Sequence, residues 1–459
     1  MTDVVKRLQA LLGSDHVLIG DAIRARNTSF WDSSPMQGLA LLRPRSTEEV
    51  SAILRLCHEH SQPVNVIGGN TGGVEGQHTQ QDEVILSMER MSQIESIDTD
   101  CATAIVQAGC VLEQLQQAVA EKDMLFPLDL GARGSCTVGG NVSSNAGGLN
   151  VIRYGMMRDL TLGLEVVLAD GTVLSSMNRL IKNNTGYDLK QLFIGSEGTL
   201  GVVTRVVVKL FEAPLSVNTA LLGLDSFAKV TALLKRLRKD VGSLLSSFEY
   251  MDQVYYQAVT MPGGNRAPLA KDHECYVVVE AQGTHRSNDR QQFEQVLSSA
   301  MEDGLIADAI IAESQAQRSE LWAVRENFEP LLAETPYFLY DVSLPISAMR
   351  EYQADVRQKI RTLWPDSRCY ALAHVGDNNL HWFITPRTDD SDAHAAASAI
   401  VYEPLAALQG SVSAEHGIGF EKKHCLPLTR SSAELDTMRL LKRSLDPNNI
   451  LGRGRIFDM

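Results

Sequence analysis

The sequence predicts an α+β protein built in two parts, and three observations carry that prediction. Short apolar strands separated by glycine-rich loops fill the first half, up to a boundary at Pro214. Beyond residue 216 the pattern becomes a succession of apolar strands and amphipathic helices, the mark of a sheet covered by helices. Finally, 459 residues with 44% hydrophobic and 21% charged content suffice for two or three sizeable cores.

Taken in order, the N-terminal MTDVVKRLQALLG reads as an amphipathic helix. Strand GLALL (38–42) leads into STEEVSAILRLC, where Ser46 or Thr47 can cap a helix whose first turn carries Glu48 and Glu49. VNVI (64–67) is the next strand and runs out into glycines. EVILSM, TAIVQAG and the pair LEVVLA and TVLSS follow, the last two joined by Asp170-Gly171, a two-residue hairpin signal. GVVTRVVVKLF closes the first half. The second half opens with strand NTALLGL, helix SFAKVTALLKRLRK, strands LLSSFEYM and ECYVVVEA, helix DRQQFEQVLSSAM and strand ADAIIA. Helix RSELWAVRENFEPLL, strand FLYDVSLP, helix MREYQADVRQKIRTLW, a hairpin around GDNN and helix DAHAAASAIVYEPLAAL complete it, with helices expected on one face of the sheet.

Composition excludes several classes. A formal net charge of −14 argues against a general nucleic-acid binder and against a basic membrane-surface protein. The N-terminus lacks the long apolar core and small-residue cleavage site of a secretory signal. No apolar run approaches the length of a membrane span. The seven cysteines form no C-x-x-C pair, which speaks against zinc ribbons and iron–sulfur clusters. An odd, scattered set suits free thiols in a reducing compartment, so a cytoplasmic location is expected.

Two stretches of the first half have the chemistry of ligand loops. VIGGNTGG (66–73) runs directly out of a strand, and glycine lets another group's atoms approach the backbone closely. Successive exposed N–H groups there can form an anion-binding concavity. PLDLGARGSCTVGGNVSSNAGG (127–148) offers small hydroxyls, amides and N–H groups and nothing aromatic. Two such loops in one domain suggest wrapping around an extended polar ligand, although flexible surface loops are the plainer alternative. The chain has no G-x-G-x-x-G opening a helix and no G-x-x-x-x-G-K-[ST]; GSEGTLG (195–201) is only a near miss. A nicotinamide enzyme with a Rossmann domain is therefore not expected.

A third stretch, AHVGDNNLHWFI (373–384), sets His374 and His381 on either side of a bend. By itself it leaves open a pair of half-buried histidines, a metal site or a catalytic pair.

These motifs, with RYG (153–155), YDVSLP (340–345) and SAEHGIG (413–419), resemble the flavoprotein dehydrogenases of the vanillyl-alcohol-oxidase type. The likeness is strongest to their D-2-hydroxy acid branch, which contains D-2-hydroxyglutarate dehydrogenase, D-lactate dehydrogenase and the glycolate oxidase flavin subunit. The resemblance runs from about residue 38 to 456. It implies a two-part FAD-binding domain, residues 1–214 with a returning C-terminal segment 426–459, and a substrate domain over 215–425 with an antiparallel sheet. It also implies that Gly68, Gly69, Asn70, Thr71, Gly72 and Gly73 hold the FAD pyrophosphate. Ser135, Thr137, Gly140, Asn145 and Gly147 would lie along the ribityl and isoalloxazine portions. Relatives that tether flavin covalently often carry histidine where this chain has Asn70, so FAD is expected to be non-covalent.

By the same resemblance, His374, His381 and Glu415 are ligands of a divalent metal, zinc or a neighbouring transition metal. His416 is the general base for the 2-hydroxyl proton, and Arg325 grips the substrate carboxylate. The implied reaction oxidises a D-2-hydroxy acid to the 2-oxo acid by hydride transfer to flavin N5. Electrons then leave to an acceptor protein or quinone, and a homodimer is the default oligomer.

Two departures bear on the substrate. Where D-2-hydroxyglutarate dehydrogenases carry a lysine, a short polar residue and an asparagine around the distal carboxylate, this chain has Leu339, Glu329 and Phe383. The ending LGRGRI (451–456) also differs from the family's usual N-P-G-K-like form. Alternative readings are a glycolate oxidase-type flavin subunit and a non-redox flavin scaffold, as in the ether-lipid synthases.

Overall fold

A computed structural model describes residues 2–261, 263–388 and 390–459. The chain divides into two compact units. One comprises residues 1–148, 155–213 and 415–459; the other comprises 149–154 and 214–414. The class is α+β, as expected.

The first unit begins with helix α1 (Asp3–Leu12), which buries Val5 and Leu8. It contains a four-stranded sheet of β1 (Val17–Leu18), β2 (Ala40–Leu42), β3 (Val64–Ile67) and β4 (Val84–Ser87), in the order β1-β2-β4-β3. β2, β4 and β3 run parallel, and α2 (Thr47–Glu59) supplies the crossover such pairs require. Ser46 caps α2, its hydroxyl accepting from Glu49 N. A second, antiparallel sheet orders its strands β5-β6-β9-β7-β8. These are β5 (Ile94–Asp98), β6 (Thr103–Gln107), β7 (Thr161–Val167), β8 (Val173–Ser176) and β9 (Val202–Lys209). The Asp170-Gly171 hairpin joins β7 to β8, with Gly171 at φ +85°. Helix α3 (Val138–Ser144) lies between β6 and β7 in sequence, capped by Thr137 and ended by Asn145 in the left-handed region.

The second unit is one antiparallel sheet of seven strands. They are β10 (Ser216–Leu224), β11 (Leu245–Asp252), β12 (Cys275–Gly283), β13 (Asp308–Ile311), β14 (Phe338–Ser343), β15 (Arg368–His374) and β16 (Asn379–Thr385). The order is β13-β10-β12-β11-β15-β16-β14. The sequence reading puts helices on one face; both faces carry them. Tyr250, Ala371, Trp382 and Tyr340 point one way by register, toward α4 (Phe227–Asp240), α7 (Met349–Leu363) and α8 (Ala393–Ala407). Met251, Leu372 and Phe383 point the other way and pack with Tyr255, Leu321, Trp322 and Val324. The last three belong to α6 (Gln315–Glu326), which follows α5 (Arg286–Glu302). The expected helix RSELWAVRENFEPLL is broken after Glu326. Pro330 explains the break, because its ring would collide with the carbonyl four residues back, that of Glu326.

The segment 149–154 joins the second unit through side chains the sequence pattern does not expose. Ser247 Oγ donates to Leu149 O (2.7 Å), Tyr154 OH to Gln282 Oε1 (3.0 Å), and Arg153 to the Gln282 carbonyl.

The C-terminal segment contains α9 (Ser432–Leu445) and is tied into the first unit by a buried ion pair and by a buried lysine. Arg455 meets both oxygens of Glu83 (2.9 and 3.1 Å), both side chains fully buried, and donates to Gly76 O (2.7 Å). Lys442 donates to Asp446 (2.6 Å), Thr199 O (2.8 Å) and Leu451 O (2.7 Å). Breaking a buried pair leaves an uncompensated charge, at a cost of about 3–5 kcal/mol. Arg455→Met is therefore expected to lower the urea midpoint of unfolding by that amount of stability. Adding Glu83→Met should recover most of the loss, since the apolar pair removes both charges.

Candidate active site

The two glycine-rich loops meet within the first unit. A Cβ on Gly68 would collide with the Thr137 side chain, and one on Gly69 with the Ser135 carbonyl. Only glycine permits that approach, so loop 67–73 and the start of α3 form one cradle. Asn70 sits at φ +54°, and its buried Oδ1 has no hydrogen-bond partner among the described residues. A buried acceptor left unpaired is costly unless a ligand serves it. In the same loop Thr71 is partly exposed and Gly72 exposed, with Gly72 O accepting from Gln77 (2.8 Å). Gly140 donates its N–H to Thr137 Oγ1 (3.4 Å), and Gly147 lies buried beyond α3. Asn145 is committed locally, its Oδ1 accepting from Arg158 N (2.9 Å). A narrow, polar, glycine-lined cradle with an unpaired acceptor fits an extended nucleotide cofactor.

His416 joins the same cradle. It holds φ +65°, and a Cβ on Gly73 would stand 2.9 Å from its Nδ1. The loop that carries it is clamped by Glu197, whose two oxygens accept from Ile418 N (2.7 Å) and Gly419 N (2.8 Å). Burial pushes the Glu197 carboxyl up, opposed by those two N–H donors. Burial likewise raises Glu421, with Lys422 and His416 pulling it down and Glu75 adding to the rise. The sequence reading missed Glu197, although GSEGTLG drew notice for its glycines.

In the second unit, the register of three strands builds a polar cluster. His374 pairs with Asn379 across the β15–β16 hairpin, so His381 falls two residues on and on the same face. Val375–Asp377 make the turn, with Asn378 left-handed at φ +75°, and the two rings lie 5.2 Å apart, edge to face. On the other side of β15, His374 pairs with Glu249 of β11. His374 Nδ1 and Glu249 Oε1 are 2.8 Å apart, and since a carboxylate only accepts, Nδ1 carries the proton. That leaves the lone pair on Nε2, which Arg325 NH2 faces at 3.5 Å. Asp341 stands opposite His381, with Oδ1 3.8 Å from Nδ1, and Asn379 Nδ2 is 3.4 Å from Nε2.

Arg325 lies in the last turn of α6, on the stripe shared with Leu321 and Trp322, and is 6% exposed. Tyr255 OH donates to the Arg325 carbonyl (2.8 Å), satisfying one of the orphan acceptors of the helix end. The guanidinium stands 3.1 Å from Glu249 Oε2 and 3.5 Å from His374 Nε2. Its buried Nε has no partner among the described residues.

Glu415 follows four residues after Ser411, which exchanges both backbone hydrogen bonds with Ser343 at the end of β14. His374 and His381 present two imidazoles on one face of this sheet, and Glu415 is the residue just past the end of this unit. Two imidazoles and a carboxylate are a donor set for a divalent transition ion.

Glu249 and Asp341 escaped the sequence reading. Each is a carboxylate in the interior of a strand, LSSFEYMD and FLYDVS, flanked by aromatic and aliphatic residues, and that interruption was the available signal. Of the residues that departed from the family pattern, Phe383 is 7% exposed and Leu339 joins the same apolar cluster, with Phe328 5.3 Å from Phe383. Glu329 is exposed.

Residues 213–456 match the family described as FAD linked oxidases, C-terminal domain, and residues 39–176 match an FAD binding domain. D-2-hydroxyglutarate dehydrogenase, mitochondrial, from Bos taurus is 44% identical over 413 residues, covering 90% of this chain and 75% of that protein. A putative D-lactate dehydrogenase, mitochondrial, from Schizosaccharomyces pombe is 37% identical over 420 residues, 89% of this chain and 80% of its own. Among solved structures, p-cresol methylhydroxylase superposes with a TM-score of 0.77 at 17% identity, covering 99% of this chain and 96% of its own. An alkyldihydroxyacetonephosphate synthase does so at 0.77 and 17%, covering 98% and 85%. These two share the vanillyl-alcohol-oxidase-type fold. The cytoplasmic expectation is overturned, because the relatives from Bos taurus, Rattus norvegicus, Danio rerio and Schizosaccharomyces pombe are all named mitochondrial. Free thiols suit any reducing compartment and could not separate the two. With both halves matched and such relatives aligned over most of its length, the chain belongs to the FAD-linked oxidases and is an FAD-dependent oxidoreductase.

Proposed function

We propose that the protein oxidises a D-2-hydroxy acid to the 2-oxo acid with non-covalently held FAD and a divalent metal. The observation that carries this reading is the pair His374 and His381 on one face, beside the buried Nε of Arg325 that has no partner among the described residues. A cation site next to a desolvated guanidinium suits a small molecule with a carboxylate and a neighbouring oxygen. Arg325 would orient the carboxylate, its planar fork having donors beyond the one facing Glu249. His416 would accept the 2-hydroxyl proton. His374, His381 and Glu415 would hold the ion, zinc or a neighbouring transition metal, which when bound supplies a Lewis acid. Gly68, Gly69, Asn70, Thr71, Gly72 and Gly73 would line the pyrophosphate, with Ser135, Thr137, Gly140, Asn145 and Gly147 along the rest. FAD when bound supplies the acceptor for the hydride from C2. The electrons then pass to a partner protein or quinone.

The purified protein is expected to be yellow, and acid precipitation should release FAD into the supernatant. Anaerobic addition of a D-2-hydroxy acid should bleach the flavin. Colour retained in the pellet would rule out the non-covalent reading, and a flavin that no D-2-hydroxy acid reduces would rule out the reaction.

His374→Ala and Glu415→Gln each remove one ligand. Both should lose most bound divalent metal and most turnover while keeping flavin. Elemental analysis showing wild-type metal content in both would remove the ion site from these residues.

The apolar surroundings of Leu339 and Phe383 favour a monocarboxylic substrate such as D-lactate, since a second carboxylate buried there lacks a partner. Steady-state kinetics across D-lactate, glycolate, D-2-hydroxybutyrate, D-malate and D-2-hydroxyglutarate should give higher kcat/KM for the monocarboxylates. Leu339→Lys should move the preference toward the dicarboxylates. A wild-type preference for D-2-hydroxyglutarate, the substrate named for the bovine relative, would overturn this choice and leave the reaction class intact.

A further inference from the structure

Glu249 is 2% exposed, and its two oxygens serve two different partners. Oε1 accepts a hydrogen bond from His374 Nδ1 at 2.8 Å, and Oε2 lies 3.1 Å from Arg325 NH2. Both partners are themselves buried, His374 at 7% and Arg325 at 6% exposure. They come from different elements: His374 from the end of β15, Arg325 from the last turn of α6. Apart from the long contact between Arg325 NH2 and His374 Nε2 at 3.5 Å, the carboxylate is what links the two groups among the described residues.

We propose that Glu249 is a positioning residue that sets two things at once: the imidazole orientation of His374 toward a metal, and the aim of Arg325 toward a substrate carboxylate. The proposal rests on the function given above. The carboxylate dictates the His374 tautomer by accepting at Nδ1, which presents Nε2 as ligand. Its second oxygen holds the guanidinium by an ion-pair contact that lacks hydrogen-bond geometry, and Nε, with no partner among the described residues, is left for a substrate oxygen. An amide cannot replace it. The single carbonyl of glutamine can serve His374 or Arg325, and its NH₂ would then oppose a donor of the other. A carboxylate that served only the core would affect stability and leave both alignments alone.

The test compares the holoenzyme with Glu249→Gln by three readouts. Divalent ion retention is measured by competition with a chelator, with zinc as the probe and no substrate present. KM and kcat are measured with D-lactate and with the best substrate of the panel, at saturating zinc. Flavin content and melting temperature report folding. Expected for E249Q are normal flavin content, zinc binding weaker by about 10–100-fold, and a rise in KM larger than the fall in kcat. If E249Q does not accumulate as a folded flavoprotein, Glu249→Asp, which keeps the charge but shortens the reach, is measured instead and should show the same two losses in milder form. Zinc binding and KM both unchanged in the folded variant would overturn the proposal, as would a lowered melting temperature with only kcat reduced. A wild-type protein that binds no zinc or is reduced by no D-2-hydroxy acid would instead fail the functional reading itself.

Discussion

The cluster in the second unit depends on strand register. Three antiparallel strands bring Glu249, His374 and His381 to one face because 249 pairs with 374 and 374 with 379. Side chains alternate along a strand, so a slip of one residue in β15 would turn His374 and Leu372 to the opposite face and bring Ala373 in their place. The register is fixed by apolar demand on both sides. Trp382 and Tyr250 are buried under one set of helices, Leu372 and Phe383 under the other. The chemistry is thus placed by residues that take no part in it.

Buried charge is used differently in the two units. In the first, Arg455 with Glu83 and Lys442 with Asp446 are satisfied by each other and by backbone carbonyls, and they hold the returning segment in place. In the second, Glu249 and Arg325 are only partly satisfied: the guanidinium keeps one donor unpaired. A complete network stabilises without recognising anything, whereas a donor left over in a desolvated place is an invitation to a ligand.

Much of the fold was legible in local patterns. The capped helix after Ser46, the Asp170-Gly171 hairpin and the two-histidine bend each carry a short-range cause, and each stands where the pattern puts it. The meeting of the glycine loops follows from glycine spacing only once Ser135 and Thr137 are seen to occupy the space a Cβ would need. What stayed hidden depends on distant partners. Glu249 is 125 residues from His374, and nothing near it in sequence announces that pairing. The 149–154 excursion rests on hydrogen bonds to residues 244–282, again beyond any periodicity. The break after Glu326 was readable, since Pro330 lies four residues on, but the apolar spacing through Phe328 and Leu331 masked it.

The chain passes between its two units at four points: after Gly148, after Tyr154, after Ala213 and after Ala414. Neither unit is therefore a contiguous piece of polypeptide. Once the first unit has formed, the 214–414 segment is a loop with both ends fixed, so its unfolded ensemble is narrower than that of a free chain of equal length. A single peptide-bond cleavage inside that segment would leave both fragments attached to folded structure, and no one cut could release either unit whole.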